Sequence, residues 1–346
     1  MSRLRTWQFL PQMIAQYWSN RGALLTLLLG SMILSSAACA SSPQQAPDIV
    51  SRIEPSSQTT TRTPLDDFVS TLEIPETAET LPPQLDQYRA SPPGLHLQSA
   101  SALVVDERGN RIYSKNSQQI RPIASITKLM TSMVVLDAGV PLDTRIAITE
   151  DDRDRMRNSS SRLRIGDAVL TRGDLITAAL VSSDNRAAHA LGRTTFKGGM
   201  PAFVQAMNRK AKSLGMNDSY FVESTGLDVR NQSSAEDLVK MAMAASSYPF
   251  IRKTASTGAT TLYPYANQQP LQYRNTNALV RDPDWMIELS KTGFINEAGH
   301  CLVMRTRIAN RLFYIALLHG EGKLTAMGDA NRLRDWLLRG QQTAAR

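Results

Sequence analysis

The sequence predicts an α+β fold in which an antiparallel sheet carries helices on both of its faces. Two strand patterns, a helical middle, and three consecutive strand patterns followed by a last helix lead to this prediction. Because all these elements share one domain, the sheet is expected to bury each face against helices.

The first predicted elements are two short strands. Residues 101–106 form one strand and residues 111–114 its partner, because Gly109 and Asn110 between them favour a tight turn. The sheet is therefore expected to begin with a hairpin.

A helix is predicted next. Pro122 suits the start of a helix, residues 125–138 contain neither Gly nor Pro, and Gly139 suits the position just after the end. Ser125 would then lie in the first turn, where free N–H groups favour negative charge.

The segment after this helix is polar and rich in arginine, residues 151–164. It is interpreted as a solvated surface loop or as the wall of a cleft. Thr171 and Asp174 then form a capping pair for a helix that ends near Val181.

Two further helices are predicted in the middle of the chain. A helical stripe of apolar residues, closed by Gly215, marks the first: Phe203, Met207, Ala211 and Leu214. Ser234 and Asp237 cap the second, whose apolar residues recur at helical spacing.

The last part of the chain is predicted to complete the sheet. No period dominates residues 248–285. Three strands follow at residues 287–294, 299–308 and 312–319. Ala309 and Asn310 form the turn between the last two, and a final helix covers residues 325–338 with Gly340 after it.

Three short motifs occur in a fixed order along this framework. They read S-x-x-K from Ser125 to Lys128, S-x-N from Ser183 to Asn185, and K-T-G from Lys291. Each motif alone is typical of an ordinary helix start, loop or strand end. A single reaction with a serine nucleophile uses all three motifs together, so their joint presence predicts a catalytic site.

The first motif supplies a nucleophile and its base. A serine hydroxyl attacks only when a base removes its proton, and residues three apart share a helix face. Lys128 can therefore serve Ser125 if it is neutral, and both burial and the nearby charge of Lys291 are expected to lower its pKa.

The other two motifs are expected to close the site. Ser183 can relay a proton, the Asn185 amide can hold a substrate carbonyl, and Lys291 with Thr292 suits a substrate carboxylate. Gly293 allows a substrate backbone to approach the strand closely. Asp184 is expected to turn away and fix its loop.

The motifs resemble those of the penicillin-recognising serine enzymes. Three longer segments narrow the resemblance to the low-molecular-mass D-alanyl-D-alanine peptidases, in particular the penicillin-binding protein 7 group: IASITKLM at 123–130, FVESTGL at 221–227 and SKTGFINEAGHCLVM at 290–304. The similarity covers nearly all of the globular part.

The resemblance implies a fold like that of the serine β-lactamases and penicillin-binding transpeptidases, with a five-stranded antiparallel sheet flanked by helices and a helical subdomain. It implies Ser125 as nucleophile and Lys128 as base, with the N–H groups of Ser125 and Phe294 as the oxyanion hole. Extra C-terminal domains of carboxypeptidase relatives are not expected, because about one helix follows the last strand.

The resemblance also implies a function. The main hypothesis is an endopeptidase that cleaves D-alanyl cross-links of peptidoglycan through an acyl-enzyme, with β-lactams as covalent inhibitors. The alternatives are a carboxypeptidase that trims terminal D-alanine and a non-catalytic wall-binding or β-lactam sensor protein. A class A β-lactamase is disfavoured because no E-x-x-L-N motif follows the second motif.

Composition adds limits on partners and cofactors. The chain has a formal charge of +8, but no stretch interleaves basic and aromatic residues as nucleic-acid platforms do, so no nucleic-acid partner is expected. The four histidines have no metal-ligand spacing, and neither a metal nor a cofactor is expected. Cys301 is expected to be a buried strand thiol.

The N-terminus predicts export to the periplasm. Arginines precede an apolar run at residues 23–34 that is shorter than a membrane span, and Ala38 to Ala40 fits a cleavage site. A lipoprotein acylated at Cys39 and an uncleaved anchor are the alternatives, so any membrane attachment is expected through the N-terminus. The predicted organisation is a signal peptide at 1–40 (or to 38 in a lipoprotein), a Ser/Thr/Pro-rich tether at 41–93 and a peptidase domain at 94–340.

Overall fold

The computed structural model describes residues 94–344, with side chains up to residue 340. The predicted signal peptide, its Cys39 and the tether at 41–93 lie outside the described residues, so these assignments stay predictions. Within the described part, no helix is long and apolar enough to cross a membrane.

The strands and the helices are numbered separately, each in chain order. The strands are β1 (Ser101–Asp106), β2 (Arg111–Lys115), β3 (Arg121–Pro122), β4 (Arg145–Ala147), β5 (Val169–Thr171), β6 (Gln232–Ser233), β7 (Ala259–Leu262), β8 (Leu271–Arg274), β9 (Met286–Ile295), β10 (Gly299–Ile308) and β11 (Arg311–Gly320). The helices are α1 (Thr127–Asp137), α2 (Arg172–Val181), α3 (Asn185–Thr195), α4 (Gly199–Ser213), α5 (Ala235–Ser246), α6 (Pro249–Ala255) and α7 (Thr325–Ala344).

The central sheet has five antiparallel strands in the order β2-β1-β11-β10-β9, which confirms the predicted sheet. Ala309 and Asn310 both have positive φ, 47° and 63°, and so form the tight turn that joins β10 to β11. Strand β11 then returns beside β1, where Val104 pairs with Ile315. This order leaves β9, which carries the K-T-G motif, at an edge of the sheet.

Side chains alternate between two cores, one on each face of the sheet. Leu103, Val105 and Val303 pack into the cluster that contains the buried residues of helices α1 to α6. Val104 and Leu302 point the other way, into a cluster with residues of α7. Helices therefore cover both faces, as the patterns predicted.

Several predicted boundaries were wrong. Pro122 does not start a helix but pairs with Gln232 in a two-residue strand, and α1 begins at Thr127. Gly340 lies inside α7, which continues to Ala344. Residues 248–285 contain helix α6 and the β7–β8 hairpin, which pack against the sheet and helical core and so owe their form to tertiary contacts.

Candidate active site

Ser125 lies in a short 3-10 turn, Ala124–Ile126, immediately before α1. Ala124 has a φ of 47°, a left-handed conformation that a residue with a Cβ adopts at some energetic cost. Two glycines hold this turn from either side: a Cβ on Gly226 would lie 1.9 Å from the Ala124 carbonyl oxygen, and one on Gly293 would lie 3.1 Å from the Ser125 nitrogen. Only glycine permits this close approach of three backbone segments.

Lys128 is fully buried beneath the nucleophile, one helical turn further along. Its Nζ lies within hydrogen-bonding distance of three oxygens: Ser125 Oγ at 2.8 Å, Asn185 Oδ1 at 2.7 Å and the Thr225 carbonyl at 2.6 Å. The structure therefore brings the first two motifs together around one amine. The Thr225 carbonyl is a partner that the sequence did not predict.

Burial lowers the pKa of Lys128 to about 8, against the raising effect of Glu223 and Asp184. Burial is the largest cause of this lowering, and the added effect expected from the charge of Lys291 stays a prediction. Lys291 is buried too, and its own pKa is lowered well below the usual range by burial and then by the charge of Lys128.

The S-x-N motif spans the junction between α2 and α3. Ser183 has a φ of 63° in the connecting turn. Asp184 caps α3 by accepting from the Ala187 N–H at 3.0 Å, and it also accepts from Ser161 Oγ at 2.8 Å. Asp184 therefore fixes the loop, as predicted, whereas Asn185 is the first residue of a helix and not a loop residue.

The arginine-rich segment at 151–164 is mostly exposed and contacts the second motif. Ser159 Oγ accepts from Asn185 Nδ2 at 2.8 Å. Arg157 donates to the Leu227 carbonyl at 2.7 Å and pairs with Glu297 at 2.9 Å. The segment therefore contacts the second motif, the loop that contains Leu227, and the turn after β9, where Glu297 lies.

The K-T-G motif lies on the edge strand β9. Lys291 Nζ donates to Ser183 Oγ at 3.0 Å and to the Thr292 carbonyl at 2.8 Å. Thr292 Oγ1 donates to Thr276 Oγ1 at 2.6 Å, a neighbour that the sequence did not predict. Phe294 is half exposed and stacks on His300 with ring centroids 4.2 Å apart.

Cys301 and His189 contact residues outside the three motifs. Among the described residues, no group of three or more His, Cys, Asp or Glu side chains could hold a metal ion. Cys301 is a buried strand thiol, as predicted, and burial raises its pKa to about 11. His189 contacts the buried carboxylate of Asp152, which Arg193 also binds.

The arrangement is suited to nucleophilic acyl transfer. A neutral Lys128 has two N–H groups and one lone pair. When Asn185 and the Thr225 carbonyl accept the two N–H groups, the lone pair faces the Ser125 hydroxyl and can take its proton. Lys291 and Ser183 on the other side form a second hydrogen-bonded pair that can return a proton.

Comparisons with known proteins agree with this chemistry. A profile of the family described as D-alanyl-D-alanine carboxypeptidase matches residues 86–320. The chain is 46% identical over 263 residues to a D-alanyl-D-alanine endopeptidase of Pseudomonas aeruginosa, covering 74% of this chain and 84% of that protein. It is also 46% identical over 245 residues to a D-alanyl-D-alanine endopeptidase of Escherichia coli, covering 70% and 78%.

Solved structures show the same fold. The structure of penicillin-binding protein D2 from Listeria monocytogenes in its cefotaxime-bound form superposes with a TM-score of 0.62 at 28% identity, covering 70% of this chain and 98% of that chain. A mutant of the Streptomyces K15 DD-transpeptidase gives a TM-score of 0.64 at 25% identity, with 70% and 98% covered.

Proposed function

The chain belongs to the D-alanyl-D-alanine carboxypeptidase family of serine peptidases, and from this premise we propose that it is an endopeptidase that cleaves D-alanyl cross-links of peptidoglycan. The proposed reaction passes through an acyl-enzyme on Ser125. One observation carries it: a fully buried Lys128, with its pKa lowered to about 8, lies 2.8 Å from the Ser125 hydroxyl.

The first step forms an ester. Lys128 takes the Ser125 proton while Oγ attacks the D-alanyl carbonyl, whose oxygen becomes an oxyanion held by the N–H groups of Ser125 and Phe294. The intermediate collapses, the amide C–N bond breaks, and the proton that Lys128 took passes through Ser183 to the leaving amine, so Lys128 is neutral again before the second step. Lys291 donates to that hydroxyl and so supports the transfer.

The second step removes the ester. Water attacks the acyl carbon, its proton passes to Lys128, and Ser125 Oγ leaves and is protonated again. A β-lactam would acylate the same serine, because its strained amide presents the same carbonyl. Asn185 is proposed to bind a substrate carbonyl, Lys291 and Thr292 the substrate carboxylate, and Gly293 the substrate backbone beside β9.

The endopeptidase assignment is supported by the relatives at 46% identity, which are named D-alanyl-D-alanine endopeptidases. Relatives named as carboxypeptidases share less, for example 27% identity with a Bacillus subtilis protein. A non-catalytic wall-binding protein is disfavoured, because binding alone does not need a buried lysine beside a serine. A β-lactam sensor is distinguished by the product assay below.

We also propose a periplasmic location, with export directed by the signal at residues 1–40 and a tether at 41–93. Its support is the basic start, the apolar run and the small residues before Ser41. Lipidation of Cys39 would attach the protein to a membrane. Mass measurement of the mature N-terminus distinguishes a soluble form from a lipidated one.

The function is tested with cross-linked muropeptide dimers and monomeric pentapeptides as separate substrates. Mass spectrometry of the products should show dimers converted to monomers, and Ser125→Ala should form no product. Loss of one alanine from pentapeptides with dimers intact would instead make the protein a carboxypeptidase. Absence of any product together with persistent penicillin binding would refute the peptidase proposal.

A further inference from the structure

Glu223 lies between the second and third motifs, and the carboxylate of this residue organises a loop beside the site. Its Oε2 accepts from the N–H and the hydroxyl of Thr225, each at 2.5 Å. Its Oε1 accepts from the Gly226 N–H at 2.6 Å and from Asn231 Nδ2 at 2.9 Å. With the Asp228 N–H at 3.5 Å from Oε1, five donors converge on one side chain, which closes residues 223–226 into a tight turn.

This turn packs directly under the nucleophile. Gly226 has a φ of 85° and touches the Ala124 carbonyl so closely that no Cβ could fit between them. Asn231, which binds Glu223, also donates to Thr127 Oγ1 at 3.1 Å at the start of α1. Any movement of the turn is therefore passed to the backbone that carries Ser125.

The same turn contacts the base. The carbonyl oxygen of Thr225 lies 2.6 Å from Lys128 Nζ, and the Ser224 carbonyl accepts from Thr131 Oγ1 at 2.7 Å one turn further along α1. Because the Thr225 carbonyl occupies one N–H of the amine, it helps to decide where the lone pair of a neutral Lys128 points. A displaced carbonyl would turn that lone pair away from Ser125.

We propose that Glu223 is a positioning residue for acylation, which holds the Thr225 carbonyl and the nucleophile turn so that Lys128 faces Ser125. The proposal rests on the proposed acyl-enzyme function. Glu223 does not touch the reacting atoms and acts through Thr225 and Gly226. A shift of about 1 Å at the reacting groups costs on the order of 10²-fold in rate, so the expected effect is large.

Charge gives a second, separable effect. The ionisable groups that act on Lys128 are Glu223 on its loop, Asp184 at the start of α3 and Lys291 on β9. The negative charge of Glu223 favours the ammonium form, so its removal should lower the pKa of Lys128 below about 8. Loss of positioning therefore lowers the plateau of the acylation rate, whereas loss of charge lowers the pH midpoint.

The test measures the acylation rate constant at saturating fluorescent penicillin, per active site, from pH 6 to pH 10. Glu223→Asp keeps the charge but is one methylene shorter, so it should lower the plateau rate at least tenfold with the midpoint still near pH 8. Glu223→Gln keeps one acceptor oxygen and loses the charge, so both the plateau and the midpoint should fall. Glu236→Gln is the matched control, because the Glu236 carboxylate accepts from Arg111 and Ser117 and not from the loop that contacts Lys128.

The outcomes separate this inference from the proposed function. If wild type is not acylated at Ser125, the proposed function fails and this inference fails with it. If wild type and Glu236→Gln are acylated and both Glu223 variants keep a plateau within twofold of theirs, only the positioning role is refuted. A lower melting temperature and active fraction with an unchanged rate per active site would also refute it, because such a role is merely structural.

Discussion

Raising the pH from 7 to 9 should accelerate acylation of Ser125 by penicillin about tenfold. The reason is the buried position of Lys128, whose pKa is lowered from 10.5 to about 8. Only the neutral amine can accept the serine proton, and raising the pH increases the neutral fraction. The acylation rate therefore rises with pH and levels off above pH 9.

The magnitude follows from the pKa. With a pKa of about 8, roughly 9% of Lys128 is neutral at pH 7 and roughly 91% at pH 9, a tenfold difference. A lysine with the ordinary pKa of 10.5 would instead show an almost hundredfold rise over the same range, with no plateau before pH 10. The slope between pH 7 and pH 9 thus distinguishes the two cases.

The assay is stopped-flow or quenched labelling with a fluorescent penicillin at several concentrations and pH values. It separates the rate constant of the chemical step from the dissociation constant of the first complex. The separation matters because Lys291 is also buried with a lowered pKa, and its ionisation would alter binding of the penicillin carboxylate. The chemical step should follow Lys128.

Lys128→Arg provides the control, because a guanidinium stays protonated throughout this range. Its acylation rate should be lower than that of wild type by orders of magnitude and should not rise between pH 7 and pH 9. A wild-type rate that is flat across this range, or one that rises a hundredfold without levelling off, would refute the assignment of Lys128 as a buried neutral base.

Three further predictions concern single substitutions. Ser125→Ala should abolish covalent penicillin labelling while thermal unfolding stays within about 1 kcal/mol of wild type, since the hydroxyl is removed and no cavity of consequence forms; labelling that survives would remove Ser125 as nucleophile. Gly226→Ala should destabilise the protein by about 3 kcal/mol or more in urea unfolding, because its Cβ would lie 1.9 Å from the Ala124 carbonyl and its φ is 85°; a loss below 1 kcal/mol would contradict this packing. Thr171 Oγ1 caps α2 by accepting from the Asp174 N–H at 3.0 Å, so Thr171→Ala should lower the free energy of unfolding by about 1 kcal/mol. The acylation rate per active site should not change, and an unchanged unfolding midpoint would show that the cap contributes nothing.

The sequence predicted much of the fold where the signals are local. Strands β1 and β10 have the predicted bounds, and Thr171 caps α2 as expected. Helix α3 was missed, because the S-x-N motif at its start was interpreted as a loop and its buried face consists mostly of small residues. Helix α6 and the β7–β8 hairpin were missed because no single period dominates them and tertiary contacts select their form.

The site residues, too, were predicted where the signal is local and missed where it is not. The three motifs identified Ser125 and Lys128, but not the loop partner Thr225 or the carboxylate of Glu223. The segment FVESTGL contained both residues and contributed to the resemblance, yet nothing in its spacing tied it to α1. A hydrogen bond between residues 97 positions apart leaves no periodic trace in a sequence.

The order and chemistry of the catalytic motifs were determined by the sequence itself, because i and i+3 on one helix and a K-T-G strand are local patterns. The hairpin turns and alternating strands likewise determined an antiparallel sheet. Tertiary structure alone decided that β9 lies at the sheet edge beside Ser125, and that Lys128 is buried deeply enough to lose its proton near pH 8. Burial and close approach depend on which distant segments pack together, and Gly226 against Ala124 shows how finely that packing is set.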